Sequence, residues 1–231
     1  MSLGTRFSGE FYLARSPEGA RPPAPGEVVA PATEADVPDL LRVAEAVHGP
    51  GGRTAALFTD RLRRGLRPYI LRHDHTAAAF LWVGLQRYSI YPLRLSLLLA
   101  GGAGYVFDEA TSPDFRRQGM LGKLFAAAWE REGLRVAVAC IATSNAASLA
   151  ANRRIGFAPE CSVVMSRLLA LRTHTVRPAE GGPALRFRSF ARPGSNPVAL
   201  SCRLDEHGLG DFRMSHQDTG PGGGDADLDS A

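Results

Sequence analysis

The feature that most constrains this chain is a strand–loop–helix segment at residues 105–130. A mostly apolar strand is followed by a loop with two arginines, and Gly119 opens a helix with Met120, Leu124 and Phe125 on one face. Such a helix start presents backbone N–H groups and the positive end of the helix dipole to an anion. Lys123, in the first turn, adds a mobile positive charge. The loop 116–122 is therefore predicted to bind phosphate, although ordinary helix capping with solvated arginines stays an alternative for this loop taken alone.

Helix and strand patterns alternate between Glu27 and Ala170, which predicts one α/β domain over residues 27–170 with two strand-to-helix units late in the chain. A first helix is expected after the capping residue Asp36 and ends at Gly49. The other helices are expected at 54–64, 119–132 and 145–154, and the strands at 69–72, 77–86, 93–99, 104–111, 135–141 and 161–169.

Both ends of the chain lack sustained periodicity. Residues 1–26 carry four prolines and are expected to form a disordered leader. Residues 216–231 contain a run of three glycines and four aspartates but no lysine or arginine, which predicts a disordered acidic tail. Residues 171–215 are expected to form a poorly defined extension, in which 185–188 alternate as a strand would.

Composition excludes some classes of function. The 231 residues are 45% hydrophobic with a net charge of +4, and the arginines are scattered without an aromatic-rich strand pattern, so a nucleic-acid platform is not indicated. The longest apolar run, 77–85, is too short to span a bilayer, and no signal-like segment opens the chain. Three dispersed cysteines suit a reducing compartment, so a cytoplasmic protein without a membrane partner is expected.

The segment 111–121, Thr-Ser-Pro-Asp-Phe-Arg-Arg-Gln-Gly-Met-Leu, resembles the acetyl-CoA loop of the GNAT superfamily of N-acetyltransferases. A second match lies in register downstream, where Asn145, Ser148, Asn152 and Gly156-Phe157 follow another motif of that family. The resemblance covers residues 27–170 and is strongest at 104–157. Two departures stand out: Leu121 replaces the usual glycine or alanine, and Asn152 replaces a tyrosine that protonates the leaving thiolate in many relatives.

The resemblance implies a central twisted mixed sheet flanked by helices, in which the strands ending at Thr111 and Ile141 splay apart and acetyl-CoA lies in the wedge. The Thr111 backbone would pair with the pantetheine arm, N–H groups from Arg117 to Lys123 would hold the pyrophosphate, and Asn145 would contact the arm from the other side. The complete cofactor-binding set implied is Thr111, Arg116, Arg117, Gln118, Gly119, Met120, Leu121, Gly122, Lys123, Asn145, Ser148 and Asn152.

The reaction implied is direct attack by a neutral amine on the acetyl-CoA thioester, with a carboxylate or a water chain removing the amine proton. Asp108 and Glu109 are the candidate catalytic carboxylates, and strand alternation is expected to send them to opposite faces. The amide of Asn152 has no titratable proton near neutral pH, so water would protonate the thiolate.

The leading hypothesis is an N-acetyltransferase that acts on an amine of a small molecule or a protein. The alternative is a catalytically silent acyl-CoA-binding domain with a regulatory or scaffold role, and phosphate-backbone binding by scattered arginines is a weaker third. No metal is expected, because the histidines that flank Asp74 have no further ligands in view. The sequence leaves a homodimer open, and acceptor specificity is expected to reside in the first two helices and in 88–104.

Overall fold

The computed structural model describes residues 4–18, 21–91, 93–168, 171–181, 183–190, 198–204 and 210–216. The helices are α1 (Val37–His48), α2 (Ala55–Arg63), α3 (Met120–Glu132) and α4 (Ala146–Arg154). The strands are β1 (Gly4–Ala14), β2 (Glu27–Pro31), β3 (Arg67–His73), β4 (Thr76–Leu85), β5 (Arg87–Ile90), β6 (Leu95–Leu99), β7 (Ala103–Thr111), β8 (Val136–Ala142), β9 (Ala158–Leu168), β10 (Leu171–Pro178), β11 (Leu185–Phe190), β12 (Val198–Leu204) and β13 (Gly210–His216).

A nine-stranded mixed sheet in the order β11-β10-β9-β1-β8-β7-β4-β3-β2 forms the centre, and a four-stranded sheet has the order β13-β12-β6-β5. Alternation along β4 divides the core into two. Phe80 and Trp82 pack with α1, α2 and the smaller sheet, while Leu81 and Val83 pack with α3 and α4. The prediction of an α/β fold with a mixed sheet flanked by helices is confirmed.

The strands β7 and β8 run parallel but pair only at their beginnings, from Ala103–Tyr105 to Val136–Val138. Beyond these residues β7 stays bonded to β4, and β8 stays bonded to β1. The sheet therefore opens between the two strands, which is the splay expected between the strands that end near Thr111 and Ile141.

The expectation of a disordered leader is wrong, because β1 lies inside the nine-stranded sheet between β8 and β9 and is antiparallel to both. Phe11 and Leu13 pack into the core on one side of the sheet, and Tyr12 and Ala14 pack into the core on the other. Because residues 11–14 are covered on both faces, this half of β1 lacks the polar alternation that marks a half-exposed strand.

The expectation of a poorly defined extension is also wrong where the chain is described. The hairpin β10–β11 lengthens the nine-stranded sheet beyond β9, and residues 185–188 lie in β11 as their alternation predicts. The hairpin β12–β13 joins the smaller sheet through parallel pairing of β12 with β6. Of the predicted acidic tail, residues 217–231 lie outside the described residues, and His216 ends β13.

Candidate active site

A pocket of about 510 Å³ occupies the opening between β7 and β8 and connects the two faces of the sheet. We call one face the α4 side, where Asn145, Ser148 and Asn152 line the pocket. The other is the α1–α2 side, lined by His48, Arg53, Arg61, Tyr88, Ile90 and Leu93. Residues Phe7 to Gly9 of β1 form a further wall, and a Cβ at Gly9 would lie 2.9 Å from Cys140 Sγ.

A β-bulge in β7 aims both candidate carboxylates at this pocket. Phe107 is opposite Trp82 and Ala110 is opposite Phe80, so three steps along β7 match two steps along β4. Asp108 lies in the bulge and has a φ of 47°. Asp108 bonds Arg53 and Arg61 on the α1–α2 side, whereas Glu109 bonds Asn152 on the α4 side, so the two carboxylates lie on opposite faces as expected. Both still line the pocket, because it reaches both faces of the sheet.

Asp108 is held by two arginines from α2 and the loop before it. The Arg53 Nη2 lies 2.9 Å from one carboxylate oxygen, Arg53 Nε lies 3.0 Å from the other, and Arg61 Nη1 donates to that second oxygen as well. Burial by itself raises the pKa of Asp108, but the hydrogen bonds and charges of Arg53 and Arg61 outweigh it and hold the pKa below its ordinary value. Asp108 is thus an ionised structural carboxylate and a poor proton acceptor.

Glu109 is in the opposite situation. Removal from water raises the pKa of its carboxyl to about 7, the charge of Asp108 acts in the same direction, and a hydrogen bond from Asn152 opposes both. A carboxyl with a pKa near neutrality can take up and release a proton at physiological pH. Of the two carboxylates predicted from the sequence, Glu109 is therefore the one suited to acid–base chemistry.

Asn152 fixes the orientation of Glu109. It is 1% exposed, and its Nδ2 donates to Glu109 Oε2 at 2.9 Å and to the Ser148 carbonyl at 3.2 Å. Since a carbonyl can only accept, the second bond identifies the nitrogen of the amide and leaves Oδ1 without a partner among the described residues. Asn145 caps α4 by accepting from the Ser148 N–H at 3.1 Å, which sets this helix start against the pocket.

The predicted phosphate loop runs into α3 as expected. Gly119 precedes the helix with a φ of 75°, and a Cβ there would meet no protein atom within 4 Å, so the space in front of it is open. The N–H groups of Met120, Leu121 and Gly122 precede the first intrahelical bond and have no acceptor within the helix. The arrangement fits a pyrophosphate bound by backbone N–H groups at a helix start.

The loop's other polar side chains lie at the surface. Arg116, Arg117 and Gln118 are exposed, with Arg116 Nε 3.4 Å from the Thr111 carbonyl and Gln118 Nε2 3.3 Å from the Asp114 carbonyl. The Ser112 N–H donates to Ala78 across the β4–β7 edge. The backbone N–H and C=O groups of successive residues in a strand point to opposite sides. Those of Thr111 therefore point away from β4, towards the opening.

The expectation that Lys123 supplies a mobile charge is wrong. Its Nζ lies 2.7 Å and 2.6 Å from the two carboxylate oxygens of Glu27, and both side chains are almost fully buried. Its backbone N–H bonds to the Gly119 carbonyl at 3.2 Å and is likewise engaged. Lys123 therefore anchors the start of α3 to the beginning of β2, and the available N–H groups end at Gly122.

Several residues of the site carry no sequence signal. Arg53 and Arg61 are two arginines in a chain rich in them, and Tyr88 lies in a short strand that shows no clear alternation. Residues 7–9 lie in the segment expected to be disordered. These residues come together at one opening because distant strands pair and α2 packs against the sheet.

No family model matches the sequence, and no curated protein is significantly similar to it. Solved structures are similar in fold. A GNAT-family acetyltransferase from Colwellia psychrerythraea has a TM-score of 0.51 at 14% identity, over 69% of this chain and 56% of that one. The chain has the GNAT fold. A functionally unknown conserved protein from Staphylococcus epidermidis has a TM-score of 0.52 at 11% identity, over 71% of this chain and 63% of that one.

This GNAT-fold chain thus spans less than two thirds of the length of either of those proteins. In the part of the chain that the structure describes, no helix is long and apolar enough to cross a membrane. The same residues include no group of three or more histidine, cysteine, aspartate or glutamate side chains placed to hold a metal ion.

Proposed function

We propose that the chain is an N-acetyltransferase that moves the acetyl group of acetyl-CoA to an amine by direct attack. The observation that carries the proposal is the position of Glu109, whose carboxyl has a pKa of about 7 and lines the opening between the splayed strands. The cofactor assignment is supported by the GNAT fold and by the start of α3 at Gly119. α3 and α4 pack on the same face of the sheet.

Acetyl-CoA is a substrate in this scheme, and main-chain groups would bind it. The N–H groups of Met120, Leu121 and Gly122 hold the pyrophosphate, with Arg116, Arg117 and Gln118 around it. The Thr111 backbone, directed towards the opening, bonds the pantetheine arm as an added strand would. Asn145 and Ser148 meet the arm from the α4 side.

The chemistry then requires one proton acceptor. The amine nitrogen attacks the thioester carbonyl carbon, a C–N bond forms, and the C–S bond breaks as CoA leaves with the electron pair as a thiolate. The nitrogen's proton passes to ionised Glu109, and the thiolate takes a proton from water. The bulge at Asp108 leaves backbone groups of β7 without ladder partners, and an N–H there can stabilise the oxyanion.

Asn152 has a supporting role in this reaction. It occupies the position where many GNAT enzymes have a tyrosine, and its amide donates to Glu109 instead of donating a proton to the thiolate. The same residue favours the alternative function, a silent acyl-CoA-binding domain, since that domain would need no general acid.

Release of free thiol from acetyl-CoA in the presence of a pool of small amines and peptides tests the proposal. Turnover with at least one amine, lost in Glu109→Gln, supports it. Binding of CoA, seen as a rise in Tm at millimolar concentration, without thiol release on any amine would favour the silent domain. No rise in Tm at that concentration overturns both functions.

A further inference from the structure

The α1–α2 side of the pocket has an aromatic wall. The Tyr88 ring lies 4.7 Å from the Tyr105 ring and 4.5 Å from the Phe107 ring, and the Tyr105 and Phe107 rings stack at 5.3 Å. Ile90 and Leu93 extend this surface along and beyond β5. An apolar wall of aromatic rings stabilises an apolar ligand body by excluding water from both surfaces.

The charges on this side do not suit a second cation. Among the described residues that line the pocket, the carboxylates are Asp108 and Glu109. Asp108 is 4% exposed and bonded to Arg53 and Arg61, and Glu109 is the proposed proton acceptor. Arg53 and Arg61 share the single carboxylate of Asp108, so the cluster keeps a net positive charge, and its Arg53 side chain is 30% exposed at the pocket. An additional ammonium group would meet a guanidinium there, which disfavours it electrostatically.

We infer that the acceptor is a monoamine carried on an apolar, aromatic-sized body with no second positive charge. The inference rests on the proposed acetyl transfer and names its substrate class. The amine reaches the thioester beside Glu109, the apolar body lies against Tyr88 and Phe107, and Arg53 excludes polycations such as polyamines and aminoglycosides.

A matched pair of amines tests the inference. 2-Phenylethylamine and its 4-aminomethyl derivative share one aromatic body and differ by one ammonium group. Thiol release from acetyl-CoA is expected to give a kcat/KM at least about tenfold higher for the monoamine. Equal or better use of the diamine overturns the inference and leaves the proposed function intact.

Arg53→Gln shows whether the selectivity has the stated origin. Removing this charge is expected to lower the ratio of kcat/KM for the monoamine to kcat/KM for the diamine by at least about threefold. The exposed variant Arg42→Gln is expected to keep the ratio of the parent. An unchanged ratio in folded Arg53→Gln, checked by circular dichroism, contradicts the role given to Arg53.

A binding measurement separates this inference from the proposed function. If no amine gives turnover, the proposed function fails, and the shift in Tm of the CoA-saturated protein then decides the ligand class. A larger rise with 2-phenylethylamine than with the diamine supports the inference. An equal rise, a larger rise with the diamine, or no rise with either amine overturns it.

Discussion

The helix start at Gly119 and the α1–α2 side of the pocket are built in different ways. At the start of α3, a single local segment, residues 111–122, offers backbone N–H groups, and its polar side chains Arg116, Arg117 and Gln118 are exposed. On the α1–α2 side, side chains from α2, β5 and β7 that are far apart in sequence meet at the pocket. Main-chain binding depends on backbone conformation, whereas side-chain binding depends on the whole sheet. Substitutions in these two regions should therefore differ in how strongly they change stability, CoA binding and kcat/KM.

Removal of residues 1–14 should have the largest effect. These residues include β1, which bonds to β8 and β9 and places Phe11, Tyr12 and Leu13 in both cores. Without β1 the sheet is divided, and the shortened chain should fail to fold cooperatively. Circular dichroism and thermal unfolding measure this, with a chain lacking residues 217–231 as the matched control. A cooperative transition in the chain without residues 1–14 would show that β1 is dispensable.

Glu109→Gln should lower kcat/KM by about 10²–10⁴, since it removes the proton acceptor and keeps the shape of the side chain. The KM for acetyl-CoA should change little, because in the proposed function main-chain groups of Thr111 and of the α3 start hold the cofactor. In the parent, kcat/KM should fall as the pH drops through about 7, where Glu109 becomes protonated. A pH profile without this inflection would assign the proton transfer to another group.

Stability gives an independent check on Glu109. The pKa of Glu109 in the folded protein, about 7, lies above its ordinary value of 4.5. The protonated form therefore favours folding below pH 4.5, and this contribution is lost as the pH rises through 7. Glu109→Gln should consequently be more stable than the parent at pH 8, with little difference at pH 4. A variant that is less stable at pH 8 would contradict the desolvation of this carboxyl.

Lys123→Ala should destabilise the fold by about 3–5 kcal/mol at pH 7, because it leaves the Glu27 carboxylate buried without its partner. Chemical denaturation measures the change. The exposed pair of Arg42 and Asp39 provides the comparison, since its loss in Arg42→Ala should cost below about 1 kcal/mol. The effect of Lys123→Ala should shrink near pH 4, where Glu27 can be protonated. Equal losses in the two variants would contradict the anchoring role.

The unequal construction also explains what the sequence could predict. Residues 111–122 form one contiguous segment, so helix-start chemistry at Gly119 predicts the loop without knowledge of the sheet. The positions of α1 to α4 follow from apolar stripes and stop signals in the same way. The bulge at Asp108, by contrast, depends on a mismatch between two strands, so strand alternation predicts that the two carboxylates face opposite sides but not which side Glu109 takes.

Two other features could not be predicted from the sequence, for a similar reason. The second half of β1, residues 11–14, is buried on both faces and shows no alternation, while the prolines that follow it are typical of a loop. Lys123 has the position expected of a phosphate ligand, and only the approach of β2 to α3 reveals Glu27 as its partner. In both cases contacts between distant segments override a local pattern.

Gly119→Val should weaken CoA binding while the acceptor side stays intact. Gly119 has a φ of 75°, which a β-branched residue adopts at a cost of about 1–3 kcal/mol, and a side chain there would fill the space in front of the helix start. Titration of CoA by isothermal calorimetry measures the loss. Gly65→Val is the control, since Gly65 has a φ of 79° and no protein atom within 4 Å of an added Cβ, but lies outside the loop. Parent-like affinity in folded Gly119→Val would place the pyrophosphate elsewhere.

Asn152→Ala should have the smallest effect, and it tests the hydrogen bond that links α4 to β7 across the pocket. Asn152 lies on α4, yet its Nδ2 bonds the Glu109 carboxylate on β7 at 2.9 Å. That bond favours the ionised carboxylate, so its loss should raise the pKa of Glu109 further above about 7. The inflection of kcat/KM should move to higher pH by about one to two units, since a hydrogen bond to a charged group contributes about 1.5–3 kcal/mol. Arg154→Ala, an exposed change on the same helix, should leave the profile in place. A shift to lower pH, or an equal shift in both variants, would show that Asn152 does not hold the proton acceptor, and a loss of rate without any shift would assign Asn152 to the cofactor alone.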